Sequence, residues 1–150
     1  MADGGSSMTP QTAARELLRR RRARESLVSF SQAITIPGAP VSEDPDEWLF
    51  KPIESTVAKH HLITMEAIQR CIETDSGRLM IFEPPGSAKS TYASVVAPAW
   101  AMARKNGYKV ILTSYAATPA ERQSKRCRAI AGSPEYASIW PEQITIKAGS

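Results

Sequence analysis

The sequence predicts an α/β chain: a parallel sheet of the P-loop NTPase type flanked by helices, preceded by a basic N-terminal helix. Three observations predict it. Residues 78–82 (RLMIF) form a short apolar run that feeds a turn built from Pro84, Pro85, Gly86, Ser87 and Ala88, after which Lys89, Ser90 and Thr91 open a long apolar stretch. Residues 109–115 (KVILTSY) form a second continuous apolar and β-branched run, the pattern of a strand buried on both faces. Residues 90–104 between them (STYASVVAPAWAMAR) are apolar nearly all round, as a helix packed on a sheet would be. Strand, loop, helix and strand in that order make a right-handed βαβ unit.

Taken from the N-terminus, residues 1–10 are rich in Gly, Ser and polar groups and read as disordered. Residues 11–36 read as a basic helical arm rich in Ala, Leu, Arg and Glu. Arg15, Arg19, Arg20, Arg21, Arg22 and Arg24 against Glu16 and Glu25 account for the whole net charge of +4, so the remainder of the chain balances. That cluster is either a polyanion contact, with Arg19, Arg20, Arg21, Arg22 and Arg24 as DNA or partner candidates, or a solvated helix face. Residues 37–47, with Pro37, Gly38, Pro40 and an acidic stretch, read as a linker. The main unit then runs over residues 48–150.

Within it, residues 54–74 fit an amphipathic helix, whole or broken near His60, with Ile63, Ala67 and Cys71 at i, i+4 spacing. His60 and His61 are adjacent and therefore point to different sides of a helix. They read as packing or capping residues, or, with Gln69, as candidates for the adenine side of a nucleotide pocket. Pro98 predicts a kink or an early end in the long apolar helix. Thr118, Pro119 and Glu121 read as a helix N-terminus with the threonine as cap. That helix stops at Gly132 and carries Arg122, Lys125, Arg126 and Arg128 on its exposed side. Ser133 and Pro134 restart a short helix to Trp140, and residues 143–147 (QITIK) alternate like a half-buried strand. Cys71 and Cys127 have no second Cys or His at metal spacing and read as reduced thiols. No apolar run approaches the ~20 residues a bilayer span needs. The N-terminus lacks the apolar centre of a secretory signal, which points to the cytoplasm.

The loop carries the chemistry. A strand ending in a turn and then Lys-Ser at a helix start presents successive backbone N–H groups and the positive end of the helix to an oxyanion. The pattern G-x-x-x-x-G-K-[ST] wants glycine where Glu83 and Ala88 stand. A Cβ at position 88 fits that pattern only with a negative φ.

Several stretches together resemble the N-terminal part of the large terminase subunit of tailed bacteriophages and prophages: HHLITMEAIQR, RLMIFEPPGSAKST, APAWAMARKNGYKVILTSY, AERQSKRCRAIAGS and PEYASIWPE. They span roughly residues 48–142. The resemblance implies the front end of an incomplete ATPase domain that binds ATP and Mg²⁺. In that family ATP hydrolysis drives double-stranded DNA into a capsid, and a C-terminal endonuclease cuts it. The implied partners are double-stranded DNA, a small terminase subunit, a portal protein and further copies of the chain, in the cytoplasm of a bacterial host. Carried onto this sequence, Pro85, Gly86, Ser87 and Ala88 line the cradle and Lys89 meets the β- and γ-phosphates as the catalytic lysine. Ser90 holds Mg²⁺, Thr91 serves the α-phosphate side, and Ser114 and Tyr115 sit where the nucleotide state is relayed. The loop lacks the basic residue many relatives carry, and no later apolar strand ends in an acidic pair. Two other readings stay open: a nucleic-acid or partner-binding module using the arginine arm, and another P-loop nucleotide enzyme.

Overall fold

The computed structural model describes residues 9–42, 44, 49–53, 56–105 and 107–142. The fold is mixed α/β and mostly helical. In order it contains α1 (Pro10–Glu25), α2 (Leu27–Ala33), β1 (Pro37–Pro40), β2 (Phe50–Pro52) and α3 (Lys59–Glu73). These are followed by α4 (Lys89–Thr91), a π-helical segment (Tyr92–Val96), α5 (Ala97–Arg104), α6 (Ala117–Ala131) and α7 (Pro134–Ile139). The one sheet among the described residues is the antiparallel pair β1–β2, with Pro37 opposite Pro52, Pro40 opposite Phe50 and an irregular register between. Both strands carry proline, which suits a short edge ribbon rather than a sheet centre. Residues expected to act as a linker thus supply a strand.

The basic helix is two helices. Ser26 is extended (φ −132°, ψ 127°), and its hydroxyl accepts from the Ser29 N–H at 3.3 Å to cap α2. The break separates the Ala23 carbonyl from the Leu27 N–H, which would bond to each other in a continuous α-helix. Each finds a side chain instead: the Trp100 indole N–H donates to Ala23 O at 3.1 Å, and the Leu27 N–H donates to Gln69 Oε1 at 2.8 Å.

The core lies between these helices and the run from Lys89 to Arg104. Leu27, Phe30, Met65, Val95, Val96, Trp100 and Ile139 are fully buried, with Tyr92, Ile130 and Tyr136 nearly so. Tyr136 meets Phe30 edge-on, centroids 5.9 Å apart, and its hydroxyl donates to Ala99 O at 2.8 Å. Pro98 ends no helix. The backbone widens first, with the Ala97 N–H reaching back five residues to Tyr92 O, and Pro98 falls in the opening turn of α5. A proline ring clashes with the carbonyl four residues earlier, and a π-turn just upstream opens that space.

Residues 78–83 and 109–115 are irregular, and neither makes a backbone ladder bond among the described residues. Their side chains are unusually open: Met80 is 78%, Phe82 84%, Ile111 86% and Tyr115 95% exposed. Helix α6 begins at Ala117, capped at Ala116, so Thr118 is a first-turn residue and not the cap. The short helix expected after Ser133 forms as α7, and Ser133 caps it, accepting from the Tyr136 N–H at 3.2 Å. The alternating stretch 143–147 lies outside the described residues. Cys71 and Cys127 are both free thiols, and burial pushes Cys127 up to about 11.

Trp100 is therefore a test of the core. Trp100→Ala should cost about 3–5 kcal/mol of folding free energy. Trp100→Phe, which strands the Ala23 carbonyl, should cost about 1–3 kcal/mol. Urea denaturation followed by circular dichroism gives both values.

Candidate functional site

The loop after residue 82 is shaped by two backbone choices. The Ser87 N–H donates to Pro84 O at 3.3 Å, closing a four-residue turn with Pro85 and Gly86 at its centre. Gly86 has φ +85°, which with proline before it defines a type II turn. A Cβ on Gly86 would meet nothing within 4 Å, so the glycine is required by conformation and not by space. Ala88 then adopts φ 58°, ψ 15°, the left-handed region. The negative φ expected for this alanine is not what forms. The chain turns through a left-handed residue into the helix at Lys89, as a glycine would at the same place, and carries a strain of order 1–3 kcal/mol. The Ala88 carbonyl closes the first helical turn, accepting from Thr91 N–H at 3.0 Å and Tyr92 N–H at 3.2 Å.

That geometry leaves the N–H groups of Ala88, Lys89 and Ser90 without a hydrogen-bond acceptor among the described residues. They are consecutive and follow a left-handed turn, which is the arrangement that forms an anion-binding concavity. Lys89 is half-buried and Ser90 is exposed. Ser90 also borders a cleft of about 310 Å³ lined by Ser94, Thr113, Ser114, Tyr115 and Gln123. The loop and the end of the second extended segment thus meet at one hydroxyl-rich opening.

The sequence pattern marks Glu83 as a departure, but the structure gives it work. Its carboxylate accepts from the Thr64 hydroxyl on α3. That bond, and a second from Ser87, hold the Glu83 carboxyl below its ordinary range, with His60 and Lys89 adding smaller attractions. Glu83 is a strut between α3 and the loop. His61, one helical turn before Thr64, is buried against Tyr92 with ring centroids 4.8 Å apart. Its Nδ1 accepts from the Ala58 N–H at 3.1 Å and so ties the start of α3. His60 is exposed, next to Glu83. Of the adenine-side candidates, the histidines therefore lie beside the loop and Gln69 is spent elsewhere. Gln69 Nε2 donates to Glu25 O at 3.0 Å and to Glu73 Oε1 at 3.1 Å while its oxygen holds Leu27.

The arginine cluster is largely consumed by structure. Arg19 grips Glu16 with two bonds of 2.8 and 2.9 Å and reaches Ala33 O at 3.0 Å. Arg20 joins the same carboxylate at 2.7 Å, and the two cations hold Glu16 down at about 2. Arg21 pairs with Glu25, and Arg24 donates to Ile139 O beneath the Trp140 ring. Arg22 alone of the five candidates has no such partner among the described residues; with Arg15 and Arg19 it borders a cleft of about 390 Å³ between α1 and α2.

Arg126 differs most from expectation. The sequence pattern puts it with Arg122, Lys125 and Arg128 on the exposed side of α6, yet it is buried and bonded to Thr91 Oγ1 at 3.1 Å. Its neighbours Cys127 and Ile130 define the inward face, and Arg126 stands beside them. No group of three or more His, Cys, Asp or Glu side chains that could hold a metal occurs among the described residues. No helix among them is long and apolar enough to cross a membrane.

His61 sets a pH dependence. Burial, and then the neighbouring His60 charge, lower its pKa from the ordinary histidine value. The unfolded chain therefore takes up a proton at a pH where the folded chain does not, so stability falls as pH drops below about 6.5. Thermal unfolding between pH 8 and 5.5 should show this slope in the native chain, and His61→Gln should flatten it.

Compared with known protein families, with curated proteins and with solved structures, the chain finds no match.

Proposed function

We propose that residues 83–91 cradle the phosphates of a nucleotide, and that the chain is the ATP-binding front part of a DNA-packaging ATPase of the large-terminase kind. The observation that carries the first half is the run of unclaimed amides at Ala88, Lys89 and Ser90 directly after the left-handed turn. An anion placed there gains several N–H donors and the positive end of the helical run that starts at Lys89. Lys89 adds a point charge for the outer phosphates. Ser90 offers a hydroxyl to Mg²⁺, which would arrive with the nucleotide and take most of its ligands from phosphate and water. The donor set fits such an ion because it needs only one protein oxygen.

The second half rests on the five stretches whose order resembles the terminase large subunit. On this reading residues 79–82 and 109–115 are strands of a parallel sheet. Their exposed apolar side chains, and backbones without a ladder bond among the described residues, are compatible with that reading. The working assembly would be a homo-oligomer acting on double-stranded DNA with a small subunit and a portal, in the cytoplasm of a bacterial host.

Phosphoryl transfer also requires an oriented water and a group to orient it. The sequence holds no apolar strand that ends in an acidic pair. Residues 1–150 are therefore assigned nucleotide binding and not turnover. Lys89→Ala should weaken Mg-ATP binding at least tenfold in isothermal titration, and the native chain should release no phosphate from ATP. Equal ATP affinity in the native chain and the alanine variant would sink the cradle.

A further inference from the structure

Arg126 is the one buried Arg or Lys among the described residues, with 8% of its surface exposed. Each of its three guanidinium nitrogens donates one hydrogen bond: Nε to Pro37 O at 2.8 Å, Nη1 to Gln123 Oε1 at 3.1 Å and Nη2 to Thr91 Oγ1 at 3.1 Å. All three acceptors are neutral, and no carboxylate among the described residues pairs with it. Burying a cation without a counter-charge is costly. Burial, and then the nearby Arg122 charge, push its pKa below the ordinary arginine range, but a guanidinium keeps its proton even so. A negative group bound nearby would supply the missing counter-charge.

The acceptors show where. Thr91 closes the Lys-Ser-Thr run of the loop, and Gln123 lines the cleft that Ser90 borders. We propose that Arg126 is a positioning residue for the phosphate cradle: it holds the Thr91 hydroxyl and the Gln123 amide from behind and lends its charge to an anion bound in front. This rests on the nucleotide reading above. Thr91 Oγ1 gives a lone pair to Arg126, which leaves its O–H to donate to a phosphate oxygen. A hydroxyl that accepts from a cation is polarised and becomes a stronger donor. Gln123 is fixed through its oxygen, so its N–H₂ remains for the ligand. Lys89 meets the phosphates directly, whereas Arg126 works through two intermediaries. Its third bond ties the site to Pro37, the first residue of β1.

The test is Mg-ATP affinity of the whole chain in a double-mutant cycle of Arg126→Lys and Thr91→Val, with Lys89→Ala as control. Lysine keeps the charge but cannot span three acceptors, so Arg126→Lys should weaken ATP about tenfold. Thr91→Val should weaken it similarly. In the Thr91→Val background Arg126→Lys should add less than about threefold, because the two share one route. Unchanged ATP affinity in Arg126→Lys, with only a lower melting temperature, would show a structural tie and overturn the proposal. Fully additive losses would overturn the route through Thr91. If Arg126→Lys does not fold, Thr91→Val decides alone, and unchanged affinity there overturns the proposal. If Lys89→Ala loses binding while the Arg126 and Thr91 variants do not, this inference fails and the cradle stands; if the native chain binds no ATP, both fail.

Discussion

Two backbone groups at the break after α1 hold the molecule together. Where the helix stops at Ser26, the Ala23 carbonyl and the Leu27 N–H lose each other, and leaving both unpaired inside the fold would cost several kcal/mol. Trp100 satisfies one and Gln69 the other. Those two side chains come from different elements, so the break can persist only when α3 and α5 are both in place. The N-terminal helices are thereby locked to the helical run that follows the loop at residues 84–88. Arg104 strengthens the same junction, donating to Arg24 O at 2.8 Å and pairing with Glu73. A segment that reads by composition as a detachable arm is a structural wall of the core.

This dependence explains what sequence could and could not reveal. The turn at Pro84–Ser87, the helix start at Lys89 and the helix restart at Ser133 and Pro134 are legible because the signals are local: a proline pair, a glycine, a hydroxyl before proline. The break at Ser26 is not legible, since its partners stand 42 and 77 residues away and the residues directly beside it, Arg24, Glu25 and Leu27, are good helix formers. The role of Gln69 was hidden for the same reason. Arg126 is an intermediate case. Its place beside Cys127 and Ile130 points inward, but arginines usually extend to water, and only the tertiary acceptors at Pro37 and Thr91 fix its direction. Charge counting overstated the arm because it cannot see that Glu16 serves two arginines at once.

Ala88 shows a different limit. Residue preference argues that a Cβ keeps φ negative, and here the surrounding bonds overrule it. The turn at Pro84–Ser87 below and the two amides bonded to the Ala88 carbonyl above leave the chain one way round. Glu83, anchored by Thr64, fixes the near end of the same loop. Only one of the two left-handed positions in this loop, Gly86, is a glycine; the other, Ala88, is held there by its neighbours, and a loop so constrained would lose little freedom on binding the proposed anion.

The wide turn at Tyr92–Val96 has a consequence of phase. An α-helix advances about 100° per residue, so one extra residue in a turn rotates everything before it relative to everything after. The loop-bearing end at Lys89–Thr91 and the core-facing end around Trp100 are thus set on independent bearings, although one continuous helical rod joins them. Tyr92, Val95 and Val96 remain buried inside that offset. Excising one residue there would let the rod rewind to an even pitch, and the Trp100 anchor and the loop end at Lys89 would then face directions that the rest of the fold does not supply. The angular offset is itself inherited information, carried by the number of residues between Lys89 and Trp100 as much as by their identities.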